Sequence, residues 1–85
     1  MTRLIEDLIS YVDHLNLSKN LNDSLIFKLK NAENAMEKGK TDRAVRALNN
    51  FSKEVQAQRT KRNITEEEAG ILISKVEEIM GHINP

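Results

Sequence analysis

One stretch, TDRAVRALNNFSKEVQAQ (residues 41–58), limits what this chain can fold into. Ala44, Leu48, Phe51 and Val55 recur at steps of four, three and four, which puts them on one face at 3.6 residues per turn. Arg43, Arg46, Asn50, Lys53 and Ala57 make a mostly polar second stripe. The segment therefore reads as an amphipathic helix. Phe51, one of two phenylalanines, falls at its middle and is the expected centre of a core around which other helices pack.

The rest of the chain supplies those helices. Thr2 can cap a first helix from about residue 3 to 14. Its stripe is Leu4, Leu8, Val12 and Leu15, broadened by Ile5 and Ile9. NLSKN (16–20) breaks the pattern, with Leu17 tucked under the turn. Asn20 or Asn22 can cap a second helix, about 21–38. Its face is Leu21, Leu25, Leu29, Ala32 and Met36, widened by Ile26 and Ala35, with Phe27 half exposed. Gly39 suits the left-handed position after that helix. Thr41 is the expected cap of the third helix, about 42–58, and RTKRN (59–63) the last loop. The fourth helix, about 66–82, opens with a capping box formed by Thr65 and Glu68. Ile64 is placed to staple onto Ala69. Ala69, Leu72, Ile73, Val76, Met80 and Ile83 form its stripe, with Ile79 beside it. Gly70 suggests a close helix approach, and Gly81 and Pro85 a fraying end. No segment alternates as a strand would. The fold class is all-α, a small antiparallel up-and-down bundle of four helices, the first the shortest.

Eighty-five residues make at most one domain, 1–85. A chain this short buries only about 60–65% of the surface its unfolded form exposes, so stability should be modest. Leu, Ile, Val and Phe number 23, too many for a disordered chain. With 4% aromatics, no Trp and one Tyr, Tyr11, the chain has fewer rings than a sugar-stacking platform or a base-stacking surface would need. The absence of cysteine excludes disulfides and thiolate metal sites. No apolar run approaches the ~18 residues of a membrane span. No signal peptide is visible, and Met1 can be the start of an excised domain.

Little in the sequence suggests catalysis. His14 and His82 lack a repeated metal-ligand spacing. Glu78 and His82 stand four apart, which is ordinarily an exposed pair. Glu66 to Glu68 are accounted for by the helix start. The serines lack a nucleophile elbow, and there is no phosphate loop or EF-hand loop. No catalytic residue, cofactor or metal site is expected.

Charge is the feature that asks for a choice. The net charge is zero, so no global attraction to nucleic acid is expected. Yet residues 1–37 are net −2, 38–65 net +6 and 66–85 net −4. Lys38, Lys40, Arg43, Arg46 and Lys53 could form a stripe, with Arg59, Lys61 and Arg62 at the other end of the third helix. Internal balance against the acidic fourth helix is the ordinary reading. The alternative is a surface for an anionic polymer, such as wall teichoic acid or an acidic polysaccharide. Its candidate residues are Arg43, Arg46, Lys53, Arg59, Lys61 and Arg62.

LIFKLKNAENAMEKGKTDRAVRALNNFSKEVQAQ (25–58), a basic loop, then ITEEEAGILISKVEEI (64–79) resembles the FIMAH domain. Lys28, Leu29, Ala32, Gly39, Lys40, Ala44, Ala47, Leu48, Phe51, Val55, Ile64, Ala69, Leu72 and Ile73 carry the likeness. Most are core or turn residues, so no functional motif is carried over. Ser52 and the unusually basic 59–62 loop depart from the family pattern. The resemblance implies a non-catalytic accessory module of a secreted, mainly Gram-positive bacterial protein, C-terminal to a hydrolase. It would contact a protein, the cell wall or a polysaccharide, in an extracellular or cell-surface setting. The competing expectation is a stand-alone cytosolic interaction protein of immunity or regulatory type. The two part on whether the natural reading frame begins at Met1 or continues upstream into an exported enzyme. Ile26, Phe27 and Ile71 are the residues that could make a dimer patch.

Overall fold

A computed structural model describes residues 2–83. Four helices follow in order: α1 (Thr2–His14), α2 (Lys19–Glu37), α3 (Thr41–Thr60) and α4 (Glu66–Ile83). There is no strand among the described residues. Each helix packs on the next, and α1 touches α4 to close the ring, the thinnest of the seams. This is the up-and-down bundle that short turns enforce.

Phe51 is fully buried at the centre, with Leu48 and Val55 on its own helix. Around it lie Leu25, Leu29 and Ala32 of α2, Ile5, Leu8 and Val12 of α1, and Leu72, Val76 and Ile79 of α4. Two stripes are rotated from their expected centres. In α1, Ile5 is buried while Leu4 and Leu15 are only partly so. The cause is that α1 leans on α2, which leaves Leu4 at the thin α1–α4 seam beside Lys75 and Glu78. In α4, Ile79 reaches the core and Met80 and Ile83 stay at its edge, because α1 covers a side of α4 that α3 does not reach.

Helix boundaries follow the backbone hydrogen bonds. α2 starts earlier than Asn20 or Asn22 would have it. Ser18 is its cap, and the Ser18 Oγ accepts from the Leu21 N–H at 3.4 Å. Asn22 instead donates to the Asp13 carboxylate at 3.5 Å. Gly39 takes φ +72° after α2. Its N–H reaches the Met36 carbonyl at 3.1 Å and the Lys40 N–H reaches Ala35 at 2.8 Å, a Schellman turn. Because Lys40 closes that turn, it also stands at the cap of α3 with no side-chain cap bond. Thr41 is therefore the first helical residue and not the cap.

α3 continues to Thr60, so Arg59 and Thr60 belong to the helix and not to the loop. The α4 capping box forms: Glu68 N–H donates to Thr65 Oγ1 at 3.0 Å, and Thr65 N–H to Glu68 Oε1 at 3.1 Å. Ile64 and Ala69 are both buried, as the staple requires. Gly70 is exposed and a Cβ there would meet nothing within 4 Å, so no close helix approach explains it. Gly81 lies inside α4. Thr2 lies within α1 and does not precede it, and Pro85 falls outside the described residues.

Candidate interaction surface

Arg43, Arg46, Lys53, Arg59, Lys61 and Arg62 are all exposed. They do not form one patch. Arg43 and Arg59 are sixteen positions apart on α3, so about 24 Å separates them along the axis. The fold sorts the six into two ends.

At the α2–α3 end, Arg43 and Arg46 line an open groove of about 570 Å³ between the two helices. From α3 come also Ala47 and Asn50; from α2 come Asn31, Asn34, Ala35 and Lys38, and Lys40 stands at the turn. The antiparallel pairing of α2 and α3 makes this possible. Lys28 on α2 meets Glu54 on α3 at 3.5 Å. Stepping in opposite directions from that pair brings Asn34 and Lys38 opposite Ala47 and Arg43. Four cations line the groove and no carboxylate does.

At the other end, Arg59 and Arg62 line a second hollow with Thr60, Ile64, Thr65 and Glu66. Here a carboxylate is part of the lining. Lys53 lines neither hollow. The Glu54 carboxyl is held below the usual range, and the charge of Lys61 is the smallest contribution to that. The largest part of that lowering comes from the Gln58 amide, and the Lys28 charge adds to it, against the opposing effect of burial.

None of the six cations makes an ion pair among the described residues; the pair that forms there is Lys28–Glu54. The acidic residues of α4 thus do not neutralise the basic segment by direct contact. Glu68 is engaged in the capping box, and Glu66 alone of the α4 acids shares a hollow with the cations.

The six candidate cations leave out Lys38 and Lys40, which the sequence places on the same basic stripe; Asn50 is legible on the polar stripe of α3, whereas Asn31 and Asn34 of α2 are the groove residues not anticipated. The signal was there in the spacing. Phe27, Asn31, Asn34 and Lys38 stand at i, i+4, i+7 and i+11, one stripe of a helix. Phe27 is 65% exposed, further out than the half-exposed position expected of it. The other ring at the surface is accounted for: Lys75 Nζ lies 5.4 Å from the Tyr11 ring centre, joining α4 to α1. His14 Nδ1 donates to the Ser10 carbonyl at 2.7 Å, which satisfies the end of α1.

Among family models, that of the FIMAH domain matches residues 2–81. No curated protein and no solved structure matches the chain.

Proposed function

The chain belongs to the FIMAH domain family, and from that premise we propose that it is the anchoring module of a secreted bacterial hydrolase, holding its parent on an anionic surface. The family is an accessory helical domain and not a catalytic one. What supports the finer reading is the α2–α3 groove, with four cations and no carboxylate in its lining. Cations left unpaired on a rigid scaffold bind a polyanion by displacing its counterions, so attraction is strong at low salt and fades as salt rises. In this reading Arg43 and Arg46 are the principal contacts, Lys53 extends them, and Arg59, Lys61 and Arg62 form a second contact at the far end of α3. The extracellular setting is part of the same proposal, since wall polymers and acidic polysaccharides are met there.

The test is retention of the chain on immobilised anionic wall polymer or acidic polysaccharide across a salt series. Retention at low salt that falls with rising salt, and that drops in an Arg43→Gln/Arg46→Gln variant, is the expected result. Negligible retention at the lowest salt removes the proposal.

A further inference from the structure

We propose that the α2–α3 groove, extended by the exposed ring of Phe27, is a binding site for an acidic polysaccharide of the hexuronate type, and not a general polyanion patch. The inference rests on the anchoring function proposed above and narrows it to one class of ligand.

Three kinds of group lie along one strip. Lys38, Arg43 and Arg46 supply positive charge at the turn end. Asn31, Asn34 and Asn50 supply carboxamides along the middle. None of these three spends its side chain on a hydrogen bond among the described residues, unlike Asn22 and Asn63. Phe27 continues the Asn31–Asn34–Lys38 stripe one turn further, with its ring in solvent. From Phe27 to Lys38 the strip runs eleven positions, about 16 Å. That length accommodates a short run of sugar units.

Each kind of group has a counterpart in a uronate chain. Guanidinium forks take carboxylates in paired hydrogen bonds. A carboxamide both donates and accepts, which suits hydroxyls that do the same. An aromatic face takes the apolar face of a pyranose ring. A polymer of phosphates without rings would use the cations alone and leave the amides and Phe27 idle. Burying Phe27 against a ligand would also remove the largest exposed apolar side chain of the described surface. Two carboxylates stand near the Phe27 end: Glu54, already held by Lys28 and Gln58, and Asp23, exposed one turn before Phe27 on the same stripe, which marks where an anionic chain would have to end.

The experiment titrates the whole 85-residue chain, followed by amide-resolved NMR, with polygalacturonate, its methyl ester and inorganic polyphosphate. Single-stranded DNA is a fourth arm. Polygalacturonate should bind and shift the side-chain amides of Asn31, Asn34 and Asn50. Methyl esterification, which keeps the rings and removes the charge, should weaken binding at least tenfold. Phe27→Ala should weaken it roughly five- to tenfold with an unchanged salt slope. Arg46→Gln should reduce the slope itself. Thermal midpoints of the variants, compared with the unmodified chain, show that the fold persists, since both positions are exposed.

Equal or tighter binding of polyphosphate or DNA, indifference to Phe27→Ala, or shifts confined to the Arg59–Arg62 end would each overturn the inference while leaving the anchoring function standing. Absence of binding to every anionic polymer would remove both.

Discussion

α3 is entered through one Schellman turn and left through another, and the two are built from different residues. Before α3, Gly39 takes the left-handed position at φ +72°; after it, Arg62 does so at φ +65°. The hydrogen bonds nearly superimpose. The pair after α2 is 3.1 and 2.8 Å, and the pair after α3, from Arg62 to Arg59 and from Asn63 to Gln58, is 3.0 and 2.9 Å. Glycine adopts this conformation without penalty, whereas a residue with a Cβ loses about 1 kcal/mol or more.

The difference lies in what holds each turn. Side chains brace the arginine turn. Asn63 Nδ2 donates to Gln58 Oε1 at 2.7 Å, and Gln58 Nε2 donates to Glu54 Oε2 at 2.6 Å. Glu54 meets Lys28 on α2, which donates to Ser24 Oγ at 3.0 Å. On the far side the capping box and buried Ile64 fix the entry into α4. No such chain surrounds Gly39. A strained position persists where its surroundings over-determine it. The glycine turn relies on local conformational preference, and its basic neighbours are left to line a groove.

Both turns rest on one core, and the largest expected effect tests that. Phe51→Ala should cost about 3–5 kcal/mol, the usual loss for a phenylalanine removed from a packed interior. A domain this small has little margin, so the variant should be largely unfolded at 25 °C. Amides at both turns should lose exchange protection together. A loss below about 1 kcal/mol, or one turn melting well before the other, would mean that the turns do not share a scaffold.

Next come the left-handed positions themselves. Gly39→Ala should lower stability by about 1–2 kcal/mol, although a Cβ there meets nothing within 4 Å, because the cost lies in the backbone. Arg62→Gly should raise stability by about 0.5–1 kcal/mol, since the same cost is removed and only part is offset by unfolded-state freedom. Urea midpoints decide both. If Arg62→Gly destabilises, the arginine side chain holds the turn in a way its exposed position does not suggest.

The starts of α3 and α4 give a smaller contrast. Thr65→Ala breaks a reciprocal pair of hydrogen bonds and should cost about 1 kcal/mol. Thr41→Ala removes a side chain with no cap bond and should be within about 0.3 kcal/mol of neutral, helped by alanine's better helix propensity. Equal losses at the two positions would show that Thr41 caps after all.

That contrast also marks how far the sequence could be read. T-x-x-E before an apolar run specifies its own hydrogen bonds, and Gly39 specifies its own backbone angle, so both were legible. Thr41 looked like a cap because the sequence does not tell that Lys40 is already committed to closing the previous turn. Arg62 carries no signal of its left-handed conformation, which arises from partners four and eight residues back and from another helix. Core membership was plain wherever one face dominates, as at Phe51. It was blurred in α1 and α4, where the lean of one helix on its neighbour decides between Leu4 and Ile5. The six cations were visible, but their division between two hollows depends on the antiparallel register of α2 and α3.

The smallest effects set the braced side of α2 against its other side. Glu54, in the chain that supports the arginine turn, has its carboxyl held below the usual range, by the Gln58 amide above all. A carboxyl lowered in the folded state adds stability above its unfolded value and loses it as pH falls through the lower folded value. Glu33, on the α1 side, is pushed up by burial, then by the neighbouring Glu6 carboxyl and the charge of Glu37, against Lys30. Its Oε2 is buried without a partner. A raised carboxyl works in the opposite sense: its contribution is complete below about pH 4 and disappears as pH rises through the higher folded value. At pH 7, Glu54→Gln should therefore weaken the domain and Glu33→Gln strengthen it, each by about 0.5 kcal/mol after solvent screening. Both differences from the unmodified chain should shrink as the buffer is taken down through the ordinary carboxylate range toward about pH 3, the Glu54 difference persisting to the lower pH. Urea midpoints at the two pH values give the sign directly. A Glu54→Gln midpoint at or above that of the unmodified chain at pH 7 would mean that the hydrogen-bonded chain through Glu54 stabilises nothing, and that the arginine turn is held by the capping box alone; a destabilising Glu33→Gln would instead overturn the reading of Glu33.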